Sequence, residues 1–317
     1  MPVSIDDVWS AHKKIAPFIH QTPVLVSQQL DDIAGCWLFF KCENLQKAGA
    51  FKSRGAVNAV LSLSRENAKN GVATHSSGNH GAALARAAQL RGINAYIVIP
   101  SNTKHVKRAA ILAYGASVIE CEPTLAARER MLEKIVVETG ARFVRPYDDD
   151  HVIAGQGTAA VELLTQVNEL DSLLVPVGEG GLLAGSAIVE SPKIKVYAAE
   201  PEMVDDAHRS FTTGELVTSH TPETVCDGLQ TSVGIRNFSI MRDLVTDALL
   251  VSEQEIIDAM HRLWARLKQV VNPSSAVILA AVIRNQKVFA GQKAGLILTG
   301  GNVDPNDLPF TSEKNLT

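Results

Sequence analysis

The sequence predicts an α/β protein built on open, mostly parallel sheets covered by helices. Short apolar, β-branched runs alternate with longer helical stretches along nearly all 317 residues, the pattern of parallel strands joined by helical crossovers. The strand candidates lack polar alternation, as expected where both faces of a sheet are covered. Polar and glycine-rich clusters recur just after strand candidates, where such sheets gather their chemistry.

In chain order, strands are expected at Trp37–Cys42, Val72–His75, Ala95–Ile99, Ser117–Cys121, Leu173–Val177, Lys195–Ala199, Ala248–Val251 and Leu296–Thr299. Helical patterns include Gly81–Arg91, Leu125–Glu138, Gly155–Val167 and Glu253–Lys268. Ser4 with Asp7, and Ser252 with Glu255, have the spacing of capping boxes, in which a hydroxyl and a carboxylate satisfy orphan backbone N–H groups. The acidic run Asp148-Asp149-Asp150 reads as the start of a helix, where the positive dipole end favours carboxylates. No repeat, low-complexity segment or Pro/Gly/Ser linker interrupts the chain, so composition marks no domain border.

The length allows one large domain or two of ordinary size, and a hydrophobic content of 46% can fill a substantial core. A net charge of −4 supplies no general attraction for nucleic acid or anionic lipid. No apolar stretch is long enough to span a bilayer, and the start lacks the basic and apolar segments of a signal peptide. A cytoplasmic protein is expected. Cys36, Cys42, Cys121 and Cys226 fall at wide, irregular spacings without a CxxC pair, which argues against a zinc ribbon or a secreted disulfide framework.

Four clusters carry the chemistry. Ala50-Phe51-Lys52 follows a strand and opens a helix; a lysine there is either a solvated surface residue or an amine able to form a Schiff base with an aldehyde cofactor. His75-Ser-Ser-Gly-Asn-His80-Gly81 joins a strand to a helix, where hydroxyls and helix N-terminal N–H groups suit a carboxylate. An ordinary capped loop has the same composition. Val175-Pro-Val-Gly-Glu-Gly-Gly-Leu182 is either a phosphate cup or a packing turn. It fails the dinucleotide fingerprint because Leu183 stands where the last glycine is needed, and it lacks the Lys-Ser/Thr of a P-loop. Thr299-Gly-Gly-Asn302 is the fourth cluster. Their common placement implies one cleft.

Together these segments resemble the serine/threonine dehydratase and serine racemase family, within fold type II of the pyridoxal-5′-phosphate (PLP) enzymes. The resemblance runs from Ala11-His12 and Thr22-Pro23-Val24-Leu25 to Gly300-Gly-Asn-Val-Asp304. It includes Val152-Ile-Ala-Gly-Gln-Gly-Thr158, Tyr197-Ala-Ala-Glu-Pro201 and Pro222-Glu-Thr-Val-Cys-Asp-Gly-Leu229. It implies a two-domain fold, with residues 71–146 inserted as a small domain into a larger one formed by 1–70 and 147–317. Lys52 would be the Schiff-base lysine, with Phe51 beside the cofactor ring. Asn79 would bond the ring's 3-oxygen, and Thr299 would partner its pyridine nitrogen. Gly178, Glu179, Gly180, Gly181 and Leu182 would form the phosphate cup, and Gly228 and Thr231 would border the pocket. Ser76, Ser77, Asn79 and His80 would line the substrate-carboxylate loop, with Ser77 as the second catalytic group. Glu200, the Val204 carbonyl and Asp206 resemble the ligands of a divalent cation (Mg²⁺, Mn²⁺ or Ca²⁺), which takes oxygen donors. A homodimer is implied as well. His12, His20, His220 and His261 have no clustered partners and read as surface or structural residues.

The expected activity is dehydration of L-serine or L-threonine to a 2-oxo acid and ammonia, with serine racemisation as a companion reaction. The alternatives are a β-hydroxyaspartate dehydratase, with Arg128 or another cation meeting a second carboxylate, and a weakly active PLP-binding regulator. Two positions depart from the family pattern. Glu179 stands within an expected run of four glycines, and Asn272 replaces an expected glutamate. A carboxylate roughly 6 Å from the phosphate would cost about 3 kcal/mol at an effective dielectric near 20, unless it points away or finds a cation.

Overall fold

In the computed structural model, residues 3–190, 193–218 and 222–310 are described. They form two sheets. The larger contains β1 (Val24–Leu25), β2 (Trp37–Cys42), β7 (Ser172–Pro176), β8 (Lys195–Pro201), β9 (Asp247–Val251) and β10 (Lys293–Leu298), in the order β1-β2-β10-β7-β8-β9. All its pairings are parallel except β1 with β2. The smaller contains β3 (Val72–His75), β4 (Ala95–Pro100), β5 (Ser117–Cys121) and β6 (Arg142–Phe143), all parallel in the order β5-β4-β3-β6.

The missing polar alternation now has its cause. Leu296 and Leu298 of β10 enter one core with Phe40, Leu174 and the helix Pro273–Arg284. Ile297, between them, enters a second core with Val175, Val196 and the helices Asp150–Gln166 and Gly181–Glu190. Both faces of the sheet are covered, so consecutive positions such as Leu296, Ile297 and Leu298 are all apolar. The small sheet is likewise covered on both faces, by separate clusters around Ile97 and around Val98.

The eight expected strands all form, three with the expected bounds and the others shifted at one or both ends. The two that the pattern does not reveal, β1 and β6, are each two residues long. Both expected capping boxes form. The helix expected at Gly155–Val167 starts earlier, at Asp150, because the Asp149 side chain accepts the N–H groups of His151 and Val152 (2.9 and 3.1 Å). The stretch Glu253–Lys268 is regular only to Arg262; a π turn follows over Leu263–Leu267, and Lys268 ends it at φ 60°.

The helix Lys52–Ser62 crosses Asp150–Gln166 with almost no space between backbones. A Cβ on Gly155 would lie 2.6 Å from the Gly55 Cα and 2.8 Å from the Arg54 carbonyl. Only glycine permits that approach. A buried charge network fastens the crossing. Arg54 fills all five of its N–H donors: two to Glu43 (2.6 and 2.7 Å), two to Glu162 (2.8 Å each) and one to Thr158 (3.1 Å). Glu162 also accepts from Lys41 (2.6 Å), whose ammonium further donates to the Thr22 carbonyl and Gln166. Two cations and two carboxylates thus neutralise one another where neither Arg54 nor Lys41 has any exposure. Burial favours the neutral acid of Glu162, but the hydrogen bonds and charges of Arg54 and Lys41 outweigh it and lower its pKa.

Candidate active site

The strand order assembles the site. Lys52 follows β2, Thr299 follows β10 and Gly178 follows β7, and these are three neighbouring strands of the large sheet. The Phe51 N–H donates to the Thr299 carbonyl (3.0 Å), and Ala50 bridges Gly300, which ties the lysine segment to the end of β10. From the small sheet, the loop after β3 leads through Ser76 and Ser77 into the helix Asn79–Arg91. Between the sheets lies a cleft of about 1560 Å³. All the residues that the sequence offers for cofactor and substrate line it; Glu200, Val204 and Asp206 do not.

Lys52 is mostly buried. Its Nζ donates to Glu179 Oε2 (2.6 Å) and to the Pro146 carbonyl (3.2 Å), and lies 5.3 Å from the centre of the Phe51 ring. The departure at Glu179 therefore has a structural outcome: the carboxylate finds a cation, and that cation is the lysine itself. The Glu179 backbone carbonyl is pinned from behind by Asn237 Nδ2 (2.7 Å) and the Gly234 N–H (3.1 Å). One residue on, Gly180 has φ 91° and no room for a side chain, because a Cβ would lie 2.9 Å from Met241 Sδ. The loop then enters the helix Gly181–Glu190, whose first-turn N–H groups lack intrahelical partners and suit an anion.

The amide of Asn79 has a supporter in Asn302, whose cluster the sequence singles out without revealing this pairing. Asn302 Nδ2 donates to Asn79 Oδ1 (2.9 Å) and to the Ala48 carbonyl (2.8 Å). In that arrangement the Asn79 Nδ2 donor remains for a cofactor oxygen. Thr299 Oγ1 lies 3.0 Å from Ser275 Oγ, which also meets Asn272 Oδ1 (2.7 Å). Asn272, in place of the expected glutamate, caps the helix Pro273–Arg284 through the Ser275 N–H (3.1 Å). Thr299 Oγ1 is thus backed by a buried hydroxyl, and among the described residues no carboxylate hydrogen-bonds to it. The Asn-Pro-Ser-Ser run is a capping signature that points to Ser275 in retrospect.

His80 lines the cleft but is only 2% exposed, and its ring is hydrogen-bonded to the Val144 carbonyl (3.3 Å). Burial, with the Lys52 charge nearby, pushes its pKa down to about 3, so the ring is neutral and its first-turn backbone N–H is what it offers a substrate. His75, to which the sequence assigns no role, also lines the cleft; burial and the nearby Arg128 charge lower its pKa. Arg128 makes no ion pair among the described residues, and its Nε is buried without a hydrogen-bond partner there. Two ion pairs, Lys107–Asp227 (2.5 Å) and Lys104–Asp307, join residues of the cleft's rim. His12, His20 and His261 lie outside the cleft, and His220 lies outside the described residues.

Away from the cleft, Glu200 and Asp206 are each 1% exposed. The Glu200 carboxylate accepts the N–H groups of His208 (2.6 Å) and Ala207 (3.3 Å), while Asp206 Oδ2 accepts that of Val233 (2.9 Å). Burial, and secondarily the Asp206 charge, raise the Glu200 pKa well above its ordinary value despite those hydrogen bonds. No group of three or more His, Cys, Asp or Glu side chains able to hold a metal occurs among the described residues. A cation here would draw on the two carboxylates, the Val204 carbonyl and water.

Residues 15–300 match the family model of the pyridoxal-phosphate dependent enzymes. The chain is 45% identical over 308 residues to the β-hydroxyaspartate dehydratase of Paracoccus denitrificans, covering 96% of this chain and 98% of that protein. It is 46% identical over 312 residues to the serine racemase of Dictyostelium discoideum, covering 95% of each. Among solved structures, the T.th. threonine deaminase superposes with a TM-score of 0.91 at 42% identity, covering 95% of this chain and 99% of that one.

Proposed function

This chain belongs to the pyridoxal-phosphate dependent enzymes, and on that premise we propose that it removes water from a small β-hydroxy amino acid, L-serine or L-threonine. The products are a 2-oxo acid and ammonia, and interconversion of the serine enantiomers accompanies the reaction. The observation that carries this reading is the convergence of Lys52, the Gly178–Leu182 loop, Thr299 and the Ser76–Asn79 loop on one cleft. The racemase, dehydratase and deaminase relatives lend it support.

The residues present fit the cofactor: an amine on one wall, an aromatic ring beside it, an oriented amide at Asn79, and a glycine cradle opening a helix. Bound PLP supplies an electron sink for charge developing at the substrate Cα. Lys52 Nζ takes the Cα proton as general base. The Ser76–Ser77 hydroxyls and the first-turn N–H groups of Asn79–Arg91 hold the substrate carboxylate. Ser77 supplies the second proton site that racemisation needs. Thr299, backed by the buried Ser275 hydroxyl (3.0 Å), would offer the ring nitrogen a hydroxyl and no carboxylate, which would weaken the sink and favour prompt loss of the β-hydroxyl.

A second reading is favoured by Arg128, a guanidinium in the cleft without an ion pair among the described residues. It suits a substrate with a second carboxylate, such as the one the Paracoccus denitrificans relative is named for. We further propose a divalent cation at Glu200, Val204 and Asp206, where it would relieve the repulsion between two buried carboxylates. Residues 71–146 form an inserted small domain on this reading, since β3 to β6 share one sheet and the remaining strands share the other. A homodimer is proposed from the family resemblance, and nucleic acid is not an expected partner. No helix among the described residues is long and apolar enough to cross a membrane. The four cysteines are all free, which suits a reducing cytoplasm.

The test is a panel of L-serine, L-threonine and L-threo-3-hydroxyaspartate, assayed for ammonia, 2-oxo acid and D-serine on protein whose absorbance shows bound PLP. Turnover of serine or threonine above hydroxyaspartate supports the first reading, and the reverse order supports the second. PLP-loaded protein inactive on all three removes both and leaves the weakly active regulator.

A further inference from the structure

The mechanism gives Lys52 two tasks, holding a carbonyl and moving a proton, and both depend on whether Nζ carries a proton. Its surroundings are one-sided. Among the described residues, Nζ meets a carboxylate oxygen of Glu179 at 2.6 Å, the Pro146 carbonyl at 3.2 Å and the face of Phe51 at 5.3 Å, while the His80 ring, also within reach of the Lys52 charge, is neutral. A carboxylate, a carbonyl oxygen and an aromatic face each attract a cation. The side chains of Lys52 and Glu179 are only 14% and 18% exposed, so water screens their attraction less than it would on an open surface.

Glu179 is held for this task. Its carbonyl is fixed by Asn237 and by the Gly234 N–H, on the side of the helix Ile235–Leu244. Its carboxylate bears on the cleft wall near Tyr147, whose phenol is held above its usual pKa by burial first and by the Glu179 charge next. The glycines on either side leave the loop free to turn its N–H groups to an anion while this one side chain faces Lys52.

We propose that Glu179 is a positioning residue for Lys52, its carboxylate being the seat of the lysine ammonium. When Lys52 has accepted a proton, the ammonium rests against Glu179 and Pro146. When the amine is to attack a carbonyl, it must leave that seat, so Glu179 slows the capture of carbonyl compounds by Lys52. The inference rests on the reading of Lys52 as the cofactor lysine only for its bearing on turnover; the ammonium seat itself is tested without cofactor.

The experiment uses the full chain freed of PLP and pulse-labelled with acetic anhydride, which acylates only unprotonated amines. Labelling at Lys52 is read by mass spectrometry against the exposed Lys195 in the same molecules. Glu179→Gln, which keeps the shape and removes the charge, and Glu179→Gly are expected to label Lys52 about tenfold faster than wild type, the factor that 1.4 kcal/mol makes. Glu179→Asp is expected to restore slow labelling, and high salt to narrow the gap. Equal labelling of wild type and Glu179→Gln, or fast labelling in Glu179→Asp, overturns the proposal. Borohydride reduction of the PLP-loaded wild type checks Lys52 separately: an adduct on another lysine sinks that assignment and leaves the labelling result standing.

Discussion

Replacing Arg54 by leucine should be among the most damaging single changes in this protein. The substitution removes five hydrogen bonds and one of two cations that balance Glu43 and Glu162, leaving a buried surplus negative charge with only Lys41 to meet it. Breaking a buried ion pair from one side costs about 3–5 kcal/mol, because the partner stays desolvated and unpaired. The measurement is urea unfolding followed by tryptophan fluorescence, for wild type, Arg54→Leu, Glu43→Gln and the double variant. The double variant restores neutrality, so the two losses should fall short of adding by about 1–3 kcal/mol. Acid should tell the same story. The folded-state pKa of Glu162 lies below its ordinary value, so its stabilising contribution is present above the usual glutamate range and disappears as pH falls through the lowered value. Arg54→Leu should lose less on that acid limb than wild type does. A cost under about 1 kcal/mol, or additivity within about 0.5 kcal/mol, would refute the network as the fastening of the lysine helix.

Three further outcomes are expected. Lys52→Ala should abolish covalent attachment of PLP and all turnover; a borohydride-stable lysine adduct at full stoichiometry in the variant would count against the assignment. In enzyme that forms D-serine, Ser77→Ala should suppress that reaction far more than elimination from L-serine, and equal loss of both would make Ser77 a substrate-binding residue instead. Asp206→Ala should lower thermal stability and activity together, and chelation by EDTA should do the same to wild type, since a metal bound only by the folded state stabilises it by mass action. Indifference to both EDTA and added Mg²⁺ would remove the cation site.

The sequence exposes what repeats and hides what converges. The central strands are legible because each is an apolar run bounded by polar or glycine-rich turns, whereas β1 and β6 at two residues leave no periodicity to detect. The helix starts at Ser4 and Ser252 are legible because capping is local. In the site, Lys52, Asn79 and Thr299 are reachable through short segments that resemble a known family. The pairings that support them are not. Asn302 lies 223 residues from Asn79, Ser275 lies 24 from Thr299, and Glu179 lies 127 from Lys52. Charge arithmetic can say that Glu179 needs a cation or an escape from the phosphate; only the fold names the cation.

The strand order also sets a timetable for synthesis. The four strands of the small sheet are contiguous in the chain, between Val72 and Phe143, so that sheet can form as soon as its own segment leaves the ribosome. In the large sheet β2 waits for β10, at residues 293–298, with only the two-residue β1 on its other side. Pairings so distant in sequence are slow to close and leave apolar edges open meanwhile. The strand that leads to the lysine is thus made early and paired last. A nascent chain halted before Lys293 would leave β2 paired only with β1 and β7 paired only with β8, and it should depend on chaperones far more than its finished counterpart.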